Sequence, residues 1–121
     1  MKKNKPAKIM DVDDDGRRAI QRVLEKVGYS VTMVADAEGA LELVAAIDFD
    51  LIISDLRMPE KTGIELLSEV KNQKPETQFL SVSAYGDGDT EALAKRMGAS
   101  EVLSKPFPRQ KLIDCTVRVL G

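Results

Sequence analysis

Short apolar runs alternate along the chain with longer segments whose apolar residues recur at helical spacing. The runs at residues 7–10, 31–34, 51–54, 79–82 and 101–103 are predicted strands. Between them, Ile20, Val23, Leu24 and Val27 form a stripe that stops at Gly28, and Ala40, Leu41, Val44 and Ile47 form a second. A third helix opens at Thr62-Gly63-Ile64-Glu65, where Thr and Glu three apart can satisfy each other's free amides. It presents Ile64, Leu67 and Val70 and is closed by Pro75. A fourth is expected over residues 90–97, stopped by Gly98. The fifth is expected over residues 108–120, with Leu112, Ile113, Thr116, Val117 and Leu120 on its inner side.

This alternation is the mark of βα units around a parallel sheet, so the fold class read from the pattern is α/β with helices on both faces. Open parallel sheets bind ligands beyond the carboxyl ends of their strands. The polar residues expected there are Asp11, Asp13, Asp14 and Asp15 after the first strand, Asp55 after the third, Ser83 after the fourth and Lys105 after the fifth.

Composition narrows the chemistry. With 121 residues, 43% hydrophobic and 31% charged, the chain has the size of one compact domain, here residues 7–121 behind an N-terminal extension, 1–6. Its lysines Lys2, Lys3 and Lys5 read as a solvated terminus. The formal charge of −2 gives no broad positive field, so direct nucleic acid binding is not expected. No apolar stretch suits a signal peptide or a membrane span, and the lone Cys115 has no internal disulfide partner, so a cytoplasmic location is expected. Cys115 reads as inert, with no basic residue evident beside it. The chain has no histidine, which excludes histidine triads, histidine bases and His-ligated metals.

Carboxylates gathered on one sheet edge repel each other unless one takes a proton or a cation joins them. Mg2+ accepts oxygen ligands and keeps waters and phosphate oxygens in its shell, which suits a small open acidic cluster. Beside it Asp55 could act as a carboxylate nucleophile forming an acyl phosphate, with Lys105 and the Ser83 hydroxyl meeting the phosphoryl oxygens. The plainer readings are that Asp55 is a turn or cap residue, that Asp13 to Asp15 form a solvated cap of the first helix, and that Ser83 and Lys105 are ordinary loop and surface side chains.

The motifs Asp50-Leu51-Ile52-Ile53-Ser54-Asp55-Leu56-Arg57-Met58-Pro59, then Gly63, Ser83-Ala84, Gly98-Ala99 and Lys105-Pro106-Phe107 stand in one order and spacing. In these the chain resembles the CheY-like receiver domains of two-component response regulators, over residues 8–120. The resemblance implies a doubly wound, flavodoxin-like five-stranded sheet of order 2-1-3-4-5 with five helices. It implies a signalling switch rather than an enzyme, phosphorylated on Asp55 by a sensor histidine kinase or phosphotransfer protein with Mg2+. Phosphorylation would draw in Ser83 and Lys105 and alter the face of the fourth helix, fifth strand and fifth helix. That face would control an output domain or downstream protein, or form a homodimer. The implied metal pocket draws on Asp11, Asp13, Asp14, Asp55 and the backbone carbonyl of Arg57. A cis peptide is expected before Pro106.

Two features depart from the family pattern, the first of them at the first strand, where the family has an apolar run followed by two adjacent acids. Taking residues 8–12 as the strand makes the pair Asp13 and Asp14, with Asp11 in a usually apolar strand position and a loop shorter by about two residues. Aligning the helix without gaps through Arg17, Ile20, Leu24, Gly28 and Tyr29 puts the pair on Asp11 and Val12; loop length favours this second alignment. Val102 stands where the family often has an aromatic residue, so aromatic rotation coupled to Ser83 is not expected. Arg57 and Tyr85, two residues after Asp55 and Ser83, stand where water access to the phosphorylated site is tuned, and Gly86 and Gly88 are expected to loosen the loop that follows Ser83. The alternatives are a pseudo-receiver that keeps the fold without phosphate switching, and a flavodoxin-like cofactor binder. The second lacks a glycine-rich loop after its first strand, where acids would repel an anionic cofactor.

Overall fold

The computed structural model describes residues 6–13, 18–56, 62–84 and 88–121. Five strands, β1 (Lys8–Val12), β2 (Ser30–Val34), β3 (Leu51–Asp55), β4 (Gln78–Ser83) and β5 (Glu101–Ser104), alternate with helices α1 (Ala19–Val27), α2 (Ala37–Ala46), α3 (Gly63–Gln73), α4 (Gly88–Arg96) and α5 (Arg109–Leu120). All pairings are parallel and the order is β2-β1-β3-β4-β5, the doubly wound topology that the family resemblance implies. Among the described residues no helix is long and apolar enough to cross a membrane. Of the N-terminal extension, residues 1–5 lie outside the described residues.

Strand alternation sends side chains to two separate cores. Met10, Val12, Ile52 and Phe79 pack with Ala40 and Val44 of α2, Leu66, Leu67 and Val70 of α3, and Ala94 of α4. Ile9, Ile53, Leu80, Val82 and Leu103 pack on the opposite face with Leu24 of α1 and Leu112 and Cys115 of α5. Helix ends follow the local chemistry. Thr62 and Glu65 form the capping box on α3, Asp36 accepts from the Gly39 amide at 2.7 Å to cap α2, and Gly28 closes α1 at φ 112°, a conformation that side chains with a Cβ rarely adopt.

Five expectations need correction. The first strand does not stop at Met10: Asp11 pairs with Met33 on one side and Ile53 on the other, and Val12 pairs with Val34 and Ser54. The backbone bonds of a central strand and the anchoring of Val12 in the core carry it past a charged residue. Ile47 is not part of the α2 stripe but its C-cap, 38% exposed, and Phe49 enters the core just beyond it. On α5, Cys115 faces inward and Val117 outward at 47% exposure, and the guanidinium of Arg118 donates to Cys115 Sγ at 3.2 Å, so a basic group does stand beside the thiol. Gly88 is the first residue of α4 rather than part of a loop; Gly86 lies outside the described residues.

Candidate functional site

The carboxyl edge of the sheet is held in place mainly by backbone. Asp55 is the last residue of β3, and the following amide, of Leu56, donates to the Val82 carbonyl at 2.9 Å. The first residue of α3, Gly63, donates its amide to Leu56 O at 2.9 Å. A Cβ on Gly63 would lie 2.1 Å from the Asp55 carbonyl and 2.6 Å from Leu56 Cα, so only glycine fits this approach. One strand over, the Lys105 amide donates to Ser83 O at 2.8 Å, and the Lys105–Pro106 peptide bond is cis. The Lys105 ammonium reaches back across β4 to donate to Asp55 Oδ2 at 3.0 Å; the lysine side chain is half exposed and that of Asp55 mostly covered.

Asp13 follows Val12, whose partner on β3 is Ser54, so Asp13 comes level with Asp55 at the neighbouring strand end, and its amide continues the ladder to Val34 O at 2.9 Å. Asp11 lies two residues deeper, 1% exposed, on the same side of β1. Asp11, Asp13, Asp55, Lys105, Pro106 and Arg109 border one cavity of about 410 Å3 between α1 and α5, completed by apolar groups such as Ile20, Val23, Phe107 and Leu112.

Burial pushes the Asp11 carboxyl up to about 7. The negative charges of Asp13 and Asp55 add to that rise, and Lys105 opposes it. Among the described residues Asp11 Oδ2 has no hydrogen-bond partner.

The strand bounds bear on the two alignments of the acidic pair. With residues 8–12 as strand, as in the first alignment, Val12 is buried in the core of the opposite face. The adjacent acids after the strand are Asp13 and Asp14. Asp14, Asp15, Arg57 and Tyr85 lie outside the described residues.

Ser83 ends β4 but is turned away from the cavity. Its hydroxyl donates to Glu91 on the first turns of α4, and the same carboxylate oxygen accepts from the Ser104 hydroxyl at 2.6 Å. Sequence reasoning missed Glu91. An acidic residue in a helix's first turn reads as a partner of the helix dipole, and nothing local ties it to Ser83 or Ser104. Val102, on the position often aromatic in the family, is half-buried against the core beneath α4.

Asp13 and Asp55, side by side with buried Asp11 behind them, supply the hard oxygen donors that Mg2+ takes. Among the described residues no group of three acids converges tightly enough to enclose an ion.

The described site can be set beside known proteins. A sequence profile for the family described as the response regulator receiver domain matches residues 8–116. The response regulator protein FleR of Pseudomonas aeruginosa is 37% identical over 93% of this chain and 24% of its own length. The transcriptional regulatory protein FixJ of Bradyrhizobium diazoefficiens is 34% identical over 84% of this chain and 50% of its own. The chain therefore spans a quarter to a half of these curated relatives. The crystal structure of the receiver domain of NtrX from Brucella abortus superposes with a TM-score of 0.88 at 31% identity, covering 93% of this chain and 97% of that one. The chemotaxis response regulator CheY4 of Vibrio cholerae gives 0.86 at 33% identity, covering 95% and 99%.

Proposed function

Because the chain belongs to the response regulator receiver family, whose members serve two-component systems and bind Mg2+ at their phosphorylation site, we infer that Asp55 is the phosphoacceptor of this domain. The observation that carries the reading is the Lys105 ammonium on the Asp55 carboxylate at the carboxyl edge of the sheet, beside Asp13. A carboxylate held there by backbone contacts is placed to attack phosphorus, and the lysine offers a positive charge to the phosphoryl oxygens as they arrive. Asp13 and Asp55, with Asp14 and the Arg57 carbonyl, would hold Mg2+, which offsets the charge gathered at the edge.

In the transfer, Asp55 Oδ forms a bond to phosphorus as the bond to the donor's histidine nitrogen breaks, and the nitrogen keeps the electron pair. The donor is a sensor histidine kinase or a phosphotransfer protein. Ser83 then turns to the phosphoryl group, and the face of α4, β5 and α5 changes. Leu93 of α4 and Val117 of α5 are exposed, and at that face an output domain, a downstream protein or a second copy would be met. The domain promotes transfer to itself and its own dephosphorylation and catalyses nothing else.

Incubation with Mg2+ and acetyl phosphate should add one phosphoryl group to the intact mass, and Asp55→Asn should abolish the addition. An unchanged mass in the unsubstituted chain sinks the reading. Sizing the same samples tests for a dimer. Arg57 and Tyr85 retard hydrolysis by limiting water access, so Arg57→Ala with Tyr85→Ala should shorten the phosphoryl lifetime several-fold; an unaltered decay rate contradicts this role.

A further inference from the structure

Ser83 has one hydroxyl proton, and that proton is committed to Glu91. The acceptor oxygen on Glu91 is shared with Ser104 of β5, so a single carboxylate ties the end of β4, the end of β5 and the first turns of α4 together. The Ser83 side chain is buried. A hydroxyl that donates to Glu91 cannot donate to a phosphoryl oxygen on Asp55 at the same time.

We propose that Glu91 is a positioning residue that holds Ser83 toward α4 and so opposes occupation of the Asp55 site. The proposal rests on the reading of Asp55 as phosphoacceptor and adds the group that sets the resting position of its switch. Two consequences follow from charge and proton counting. Occupation of Asp55 must break the Ser83–Glu91 hydrogen bond, because the proton is needed at the phosphoryl oxygen. Once that donor is withdrawn, the Glu91 carboxylate keeps its negative charge a short way from a new anion, which favours its moving off with the start of α4. Since the latch is present only in the unoccupied state, it weakens binding at Asp55 by the same factor as binding weakens the latch. Ser104 supports the latch from the side by keeping the Glu91 carboxylate in place.

The test uses Mg2+ with beryllofluoride, which mimics a phosphoryl group on an aspartate, titrated against the full chain. Glu91→Ala should bind it about ten- to a hundredfold more tightly than the unsubstituted chain, as expected for loss of one hydrogen bond to a charged acceptor. Glu91→Gln and Ser104→Ala should shift affinity the same way by less, and they carry the test should Glu91→Ala fold poorly. In a Ser83→Ala background, Glu91→Ala should give less than half of that gain, which separates a route through the hydroxyl from general charge repulsion. The proposal is overturned if the Glu91 variants melt normally and bind no more tightly, or if the full gain persists without Ser83. If the unsubstituted chain binds no beryllofluoride, the phosphoacceptor reading fails and the latch fails with it. Binding by the unsubstituted chain with no effect of Glu91 sinks the latch alone.

Discussion

Asp11 is the residue whose position departs most from its chemistry. A carboxyl 1% exposed in a central strand, with one oxygen unpartnered among the described residues, raises its affinity for a proton to the neutral range. In the unfolded chain the same group ionises near pH 4. Between about pH 4 and 7 the native state therefore keeps a proton that the unfolded state has lost, and stability falls as pH rises through that window. In chelator-treated protein, Asp11→Asn should flatten this slope and gain on the order of 2–4 kcal/mol over the parent at pH 8, read by urea unfolding at pH 5 and 8. A slope that survives the substitution would assign it to other groups. The sequence offered Asp11 as a site residue and left open whether it lies within the strand or just after it, because an acid in an apolar run looks like the run's end. Only the two-sided pairing of β1 reveals its depth.

Among the elements, the start of α3 sits tightly against the end of β3. Gly63 lies against the backbone of Asp55 and Leu56, so added bulk must displace the helix start or the strand end. Gly63→Ala should lower unfolding free energy by about 1–3 kcal/mol, the usual cost of overpacking. Because the displaced carbonyl is that of Asp55, it should also slow phosphoryl uptake; thermal melting and the acetyl phosphate reaction measure the two, and a normal uptake rate in a destabilised variant would uncouple them. Helix starts and stops were legible where a local signal exists, as at Thr62 with Glu65 and at Gly28. The inward and outward faces were legible only where the period runs unbroken. Ile47 and Val117 kept hydrophobic character at positions where the chain had left the helix or turned to solvent, and periodicity carries no sign of that.

For the whole molecule, the alternation of apolar runs and helical stripes was enough for five βα units, and the motifs around Asp55, Ser83 and Lys105 supplied the strand order through a family likeness. What stayed hidden were contacts between groups distant in sequence, above all Glu91 with Ser83 and Ser104, since these depend on how α4 seats over β4 and β5. The division of the interior into two cores has a further consequence. The cavity beside Asp55 opens between α1 and α5, whereas α4 rests on the other side of the sheet. A protein delivering phosphate through that mouth would meet α1 and α5 and leave α4 uncovered, so of the helices on the face of α4, β5 and α5 only α5 would be shared between donor and reader.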